Sequence, residues 1–366
     1  PFSIKILNYE KDSNNETNIN LKGVSKKNKK ILINSLILKE KINKIEINNL
    51  LINDKYKIID IEKIKLDYID KDKKRNLVEL NKKNDEYILS GSSLNVNFLL
   101  DQILNDSDTK NNFLNIKSKL NINVKKIFLD SEYYLKNLVG FLILKDQNIP
   151  KANIIGNFSN DKKLRFTINT QNNEKITTLY SDNAKPIVKR YKFIKGFDDG
   201  SLDFYGSKKL NTSISTLKIY NFKLKELPIL TKILTLASLQ GIADILSGDG
   251  IRFDEFEMNF QDNGNLIKID EIYAIGPAIS ILMDGYIEKN KLISLRGTLV
   301  PATTNKAIGT IPILGKLLVG SKTGEGVFGV SFKIKGPPKK LETTVNPIKT
   351  LTPRFITRTL EKIKKN

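Results

Sequence analysis

Alternation with a period of two residues recurs along almost the whole chain, and it constrains the fold more than any other feature. It appears at Ile42, Ile45 and Ile47, at Tyr56 and Ile58, and at Ile64, Leu66 and Tyr68. It returns at Leu120, Ile122 and Val124, at Leu164, Phe166 and Ile168, and at Leu217 and Ile219. Clusters of Asn, Asp and Lys separate these runs. Successive side chains of a strand point to opposite faces, so each run marks a strand with one apolar and one wet face. Aliphatic alternation between turn-forming clusters predicts an antiparallel meander. A sandwich, a closed barrel and one long curved sheet all accommodate strands at this spacing. Aromatics at 8% with no Trp argue against the aromatic-rich core of a sandwich.

Helices are expected in four places. The segment Leu94 to Asn105 reads as a short one. Asp182 is placed to cap a second that runs to about Lys195 and stops near Gly196, since its carboxylate accepts hydrogen bonds from first-turn N–H groups. Pro228 suits a first turn, and Ile229, Ile233, Leu236 and Leu239 form a stripe that stops near Gly248. The last runs from Pro353 to Lys365. It has Phe355, Ile356, Leu360 and Ile363 on one side, with Arg358, Lys362, Lys364 and Lys365 around them. Isolated helices need about 12–15 residues even to be marginal, so this one must pack on the sheet or lie on an anionic membrane surface. Both readings stay open.

Composition removes several chemistries. With no Cys and no His, the 366 residues hold no disulfide, thiol nucleophile, imidazole base or Cys/His zinc site. The formal charge of +21 raises a polyanion as partner. Only seven of the 61 basic residues are Arg, however, and the Lys are scattered among Asn and Ile. That pattern reads as solvated surface, and no nucleic-acid partner is expected. No window reaches the ~18–20 apolar residues of a membrane-spanning helix, because Pro228 to Leu246 is interrupted by Lys232, Gln240 and Asp244. The opening Pro1 reads as the start of a fragment or processed chain, with any targeting segment outside it.

Two groups of polar residues invite a catalytic reading and fail it. Gly315 to Thr323 (GKLLVGSKT) nearly matches a phosphate-binding loop, but Ser321 stands where the motif needs Lys, and the residues before it read as amphipathic helix and not as a buried strand. Asp198 with Asp199, and the cluster Asp249, Asp254, Glu255 and Glu257, lack calcium-loop spacing. Neighbouring carboxylates on a strand also point to opposite faces and cannot oppose one another across a cleft. No enzyme activity, catalytic residue, cofactor or metal is expected.

The most informative stretch is Leu292 to Arg354. Ile293, Leu295 and Leu299 share one face of a strand that Pro301 ends. The segment Ile308 to Gly320 follows, with an apolar face of Ile311, Ile313, Leu314, Leu317 and Leu318. Val327 to Lys335 then returns as a strand with Phe328, Val330, Phe332 and Ile334 on one face. At these residues the chain resembles the AsmA-like proteins of the YhdP type, found in the envelopes of Gram-negative bacteria. The resemblance rests on motifs in order: FIKGFDDGSLDFYG at 193–206, LPILTKILTLASLQGIADILSGDGIRFDEF at 227–256, IGPAISILMDGYI at 275–287 and GTLVP at 297–301. IPILGKLLVGSKTGEGVFGVSFKIKGP and TTVNPIKTLTPRF follow. It covers roughly the second half; residues 1–180 share only the strand-rich style.

The resemblance implies a mainly β fold: a long antiparallel curved sheet forming an apolar groove, with a few short amphipathic helices near the C-terminal end. It divides the chain into β-groove repeats at 1–180 and a C-terminal module with capping helices at 181–366. It further implies a non-enzymatic conduit that moves phospholipid between inner and outer membranes, located in the periplasm and anchored in the inner membrane by a segment outside this sequence. The residues expected to line the groove are Ile267, Ile269, Ile279, Ile281, Met283, Ile293, Leu295, Phe328, Val330, Phe332 and Ile334. Strand phase decides that assignment, because a slip of one residue exchanges the faces. The rival reading is a structural or assembly scaffold of the envelope whose sheet carries no lipid.

Overall fold

The computed structural model describes residues 2–26, 30–54, 58–100, 117–145, 148–190, 196–225, 227–301, 329–338 and 340–348. It is mainly β, with 69% strand and a few short helices among the described residues. The chain forms two compact units, Pro1–Ser181 and Asp182–Asn366. The expected division lay one residue earlier, between Tyr180 and Ser181.

The first unit opens with a two-stranded hairpin, β1 (Ser3–Ile4) and β2 (Tyr9–Glu10), joined through a 3-10 turn at Lys5–Leu7. Among the described residues eleven strands follow: β3 (Asn18–Lys26), β4 (Lys30–Glu40), β5 (Asn43–Ile52), β6 (Ile58–Ile69), β7 (Arg75–Lys83), β8 (Glu86–Asn95), β9 (Ser118–Phe128), β10 (Tyr134–Lys145), β11 (Asn148–Phe158), β12 (Lys163–Gln171) and β13 (Glu174–Ser181). Each pairs with the next in sequence. All of these pairs are antiparallel except β8 with β9, which is parallel. A parallel neighbour requires a crossover instead of a tight turn, and the first residues of that crossover, Val96 and Leu100, pack on the apolar cluster of the sheet. The helix expected from Leu94 starts later than that, at 97. β8 runs on through Asn95, residues 97–100 are helical, and 101–105 lie outside the described residues. Ile42, expected in a strand, sits in the β4–β5 turn and is exposed, because the chain must reverse between Glu40 and Asn43.

Among the described residues the second unit has eight strands: β14 (Phe197–Lys209), β15 (Thr212–Leu224), β16 (Ile251–Asp262), β17 (Leu266–Ile275), β18 (Ile279–Glu288), β19 (Leu292–Pro301), β20 (Gly329–Gly336) and β21 (Glu342–Ile348). Each pairs antiparallel with its successor. The helix expected after Asp182 is one turn, Lys185–Val188, with residues 191–195 outside the described set. The helix expected from Pro228 to Gly248 is two, Pro228–Leu236 and Gln240–Ser247. They are broken at Ser238, whose φ of 58° is left-handed and cannot continue a helix. The buried stripe also differs from the expected one. Leu230, Ile233, Leu234 and Ala237 are buried and Leu236 is exposed, because spacings of three and four from Leu230 turn that face inward.

Candidate functional site

Directly opposed residues of paired strands share a face, so register identifies what lines each side of a sheet. In the first unit one row of direct partners runs Leu21, Leu36, Ile47, Ile64, Leu80, Leu89, Ile122, Gly140, Ile154, Phe166 and Leu179. Every strand from β3 to β13 thus contributes one residue, and all but Gly140 are aliphatic or aromatic. At the ~4.8 Å spacing of strands the row from Leu36 to Leu179 extends roughly 43 Å. From Leu36 onward its large side chains are half-buried, and Leu21 is 59% exposed.

A second row beside it runs Ile19, Leu38, Ile45, Leu66, Val78, Gly91, Val124 and Leu138. Here Leu38, Ile45, Val78, Val124 and Leu138 are buried. The N-terminal hairpin covers one stretch of it: Phe2, Ile4, Leu7 and the fully buried Tyr9 pack with Leu38, Ile45 and Tyr68. The Tyr9 and Tyr68 rings meet edge to face at 5.8 Å, and the Tyr68 hydroxyl donates to the Leu7 carbonyl at 2.8 Å. Leu94, Val96 and Leu100 cover the next stretch, against Val78, Val124, Leu138 and Phe158. The apolar face is therefore sealed along one margin and accessible in the neighbouring row.

Polar groups hold that sealed margin in place. Glu40 is 1% exposed, and its carboxylate accepts hydrogen bonds from the Tyr9 hydroxyl, the Asp12 N–H at 3.0 Å and the Asn15 amide at 3.2 Å. Burial pushes the Glu40 carboxyl up, yet the hydrogen bonds from Tyr9, Asn15, Asp12 and Asn43 prevail and hold it below its ordinary range. The Tyr9 hydroxyl is raised by burial and by Glu40 beside it. A comparable cluster stands at the β6–β7 turn, where Asp70 accepts from Asn76 at 3.0 Å and from Asn95 at 2.7 Å. Near the opposite strand ends, Asp60 accepts from Lys82 at 2.8 Å and from the Tyr87 hydroxyl at 2.8 Å. Burial, then the bond to Asp60, pushes the Tyr87 hydroxyl up to about 12.

The other side of β5–β7 is wet and mixed in charge. Glu79 pairs with Lys63 at 2.7 Å and Lys65 at 3.8 Å, and Arg75 grips Asp67 through both carboxylate oxygens at 2.9 and 3.0 Å. A shallow depression of about 400 Å³ on this side is lined by Lys44, Glu46, Lys65, Asp67 and Glu79. Exposed pairs of this kind add little stability; they mark the face that water wets.

In the second unit the residues expected to line a groove do share one face. Ile267 opposes Ile287, which opposes Ile293; Ile269 opposes Gly285, which opposes Leu295, and Leu295 opposes Ile334. Met283 opposes Gly297, which opposes Phe332. Ile281 opposes Leu299, which opposes Val330, and Ile279 lies two residues along. Phe328 lies outside the described residues. This face is more closed than its counterpart: Ile269, Ile279, Ile281, Val330, Phe332 and Ile334 are buried, and Ile267, Met283, Ile293 and Leu295 are half-buried. Reasoning from period two missed Ile272 and Ala274. A bulge between Ile269 and Ile272 adds a residue, so these two rejoin the face. The signal was present as the adjacent polar pair Asp270 and Glu271, which interrupts the alternation. It also missed the row of the first unit as a site, although it identified many of the strands.

The carboxylate groups hold structural positions. Asp198 pairs with Lys185 at 2.7 Å, and the buried Glu257 lies 3.5 Å from Lys218 and accepts from the Asn259 amide at 2.9 Å. Among the described residues no cluster of three or more metal-ligating side chains occurs, and no helix is long and apolar enough to cross a membrane. The near-match to a phosphate loop at Gly315–Thr323, the apolar segment Ile308–Gly320 and the C-terminal helix with Phe355, Arg358, Lys362, Lys364 and Lys365 lie outside the described residues.

Comparison with protein-family models, with curated proteins and with solved structures finds no match for this chain.

Proposed function

We propose that this chain is a segment of a non-enzymatic lipid conduit, with the half-buried apolar row of the first unit as the surface along which acyl chains move. The observation that carries this reading is the unbroken register of that row across eleven strands, with its side chains only half-buried while ion pairs decorate the opposite face. Apolar side chains in contact with water are stabilised when hydrocarbon covers them, at about 0.8 kcal/mol per CH₂. The row is more than twice as long as the ~15 Å depth of one bilayer leaflet, so a lipid tail on it has neighbouring positions to move into. Many weak, equivalent contacts permit sliding, and conduction of this kind needs no catalytic residue. In keeping with the likeness to AsmA-like proteins, the cargo is phospholipid and the setting is the periplasm of a Gram-negative envelope, between inner and outer membranes, with an inner-membrane anchor outside this sequence.

Lipid extraction and native mass spectrometry of the purified chain test the proposal. Co-purifying phospholipid, lost in the double variant Ile64→Asp/Leu89→Asp, is the expected result; a lipid-free protein overturns it. The second reading, an envelope scaffold without cargo, is favoured by the burial of Ile279, Val330 and Phe332, which looks like ordinary core. It predicts a lipid-free protein whose stability is indifferent to phospholipid.

A further inference from the structure

Four successive strands, β9 to β12, carry eight Lys or Arg residues and no Asp or Glu. Three other strands of the same unit, β5 to β7, carry six cations and five carboxylates, several of them in the ion pairs described above. The one-signed stretch also breaks the rule that only one face is apolar. On β10, Leu138 and Leu142 share the face of the half-buried row, while Val139, Phe141 and Ile143 point to the other side. Ile155 opposes Val139 directly and extends the stripe onto β11. Val139 is 42% exposed, and Phe141, Ile143 and Ile155 are half-buried. Lys125, Lys145, Lys151 and Arg165, all exposed, surround these side chains, and Lys119 stands over the Phe141 ring at 5.7 Å while pairing with Glu86 of β8 at 3.3 Å.

We infer that this outward face of β9–β12 docks on an anionic membrane surface. A bilayer of that kind offers both things the face asks for: negative headgroups for the ring of cations, and hydrocarbon a few ångströms below for Val139, Phe141, Ile143 and Ile155. Lys and Arg stems lie along apolar surface and carry their charges outward to the phosphates. A second copy of the chain would set cation against cation. A soluble polyanion would satisfy the charges and leave the apolar stripe wet. This surface is on the opposite side of the sheet from the half-buried row and does not depend on what that row carries.

The chain contains no Trp, so Phe141→Trp places a lone fluorophore in the stripe, with Val139→Trp as a second reporter should the first not fold. The full chain is titrated with phosphatidylcholine vesicles with and without phosphatidylglycerol. Binding is expected only with the anionic lipid, with emission shifted to the blue and quenched by brominated acyl chains. Leu77→Trp, on the mixed-charge side of β7, is expected to show neither. Because the whole chain is cationic, the specific site is separated from general attraction by charge-matched variants. Neutralising Lys125, Lys145, Lys151 and Arg165 to Gln is expected to weaken binding by at least about tenfold, whereas neutralising Lys208, Lys209, Lys291 and Lys335 does much less. Absence of binding, binding with neither stripe reporter shifted, equal weakening by the two sets, or a shift produced by an acidic protein and not by vesicles each overturns the inference.

Discussion

The two units build the same kind of apolar face and finish it differently. In the first, a row of apolar side chains from Leu36 to Leu179 stays half-buried, and among the described residues the segments around Tyr9 and Val96 pack on the buried residues of the adjacent row. In the second, Leu202, Ile219, Phe256, Ala274, Ile281, Leu299 and Val330 form a row of direct partners in which all but the half-buried Phe256 are buried, and the paired helices add buried Leu230, Leu234 and Leu246. Residue type does not distinguish the two rows, since both are Leu, Ile and Phe with small residues interspersed. Whether an apolar strand face is a core or a surface for a guest depends on what else reaches it.

The sharpest way to break this contrast is a charge in each row. Ile64→Asp/Leu89→Asp is expected to abolish lipid co-purification while leaving a folded protein, because each carboxylate retains access to water at the half-buried row. Phe332→Asp is expected to unfold the second unit, since an isolated buried charge costs more than a domain's few kcal/mol of stability. Far-UV circular dichroism and lipid extraction read the two outcomes, and a soluble, folded Phe332→Asp would show that the second unit is open as well.

Next in size are the two glycines that occupy matching places. Gly140 and Gly285 both stand in an apolar row at φ of 148°, and a Cβ added there would lie 2.0 Å from the Asn153 carbonyl oxygen or 2.1 Å from that of Ser294. Ala at either site must push a strand aside, at an expected cost of about 3 kcal/mol or more in urea denaturation. Truncation to Ala comes third. Leu299→Ala, at a fully buried site, should cost ~2–5 kcal/mol, and half-buried Leu80→Ala about 1 kcal/mol. Adding phospholipid should widen the deficit of Leu80→Ala and leave that of Leu299→Ala unchanged.

The smallest effect concerns the sealed margin. Glu40 titrates below its ordinary value of 4.5 in the folded chain. The stability it supplies is therefore present above that ordinary value and is lost as pH falls through the lower folded one. Tyr9 and Tyr68 are raised above their ordinary 10.0, so their contribution is full below pH 10.0 and falls as pH rises beyond it. Hydrogen exchange at residues 2–10 should quicken at both extremes before the sheet opens, and Glu40→Gln should remove the acid limb while the alkaline limb persists, reduced, through the burial of Tyr9 and Tyr68.

Much of this architecture was legible beforehand. Ile267 with Ile269 and Ile279 with Ile281 revealed their strands and faces, because a pleat enforces the two-residue period wherever one side avoids water. Ile272 and Ala274 escaped because a single extra residue at the bulge resets the phase. The stripe around Leu230 was misplaced because a short, strongly apolar helix offers several faces, and packing selects one. The parallel junction of β8 and β9 left no mark in the alternation at all, since a strand's own pattern does not depend on its neighbour's direction.

The amino-acid sequence by itself determined that this chain is built of strands with one greasy side, and that thiol and imidazole chemistry are absent from it. Those properties are local: they follow from side-chain type and spacing. Only the tertiary structure decided that the row from Leu36 to Leu179 is left half-covered while the row through Leu299 is sealed. Burial is a property of what arrives from elsewhere in the chain, and a strand's own residues do not encode it.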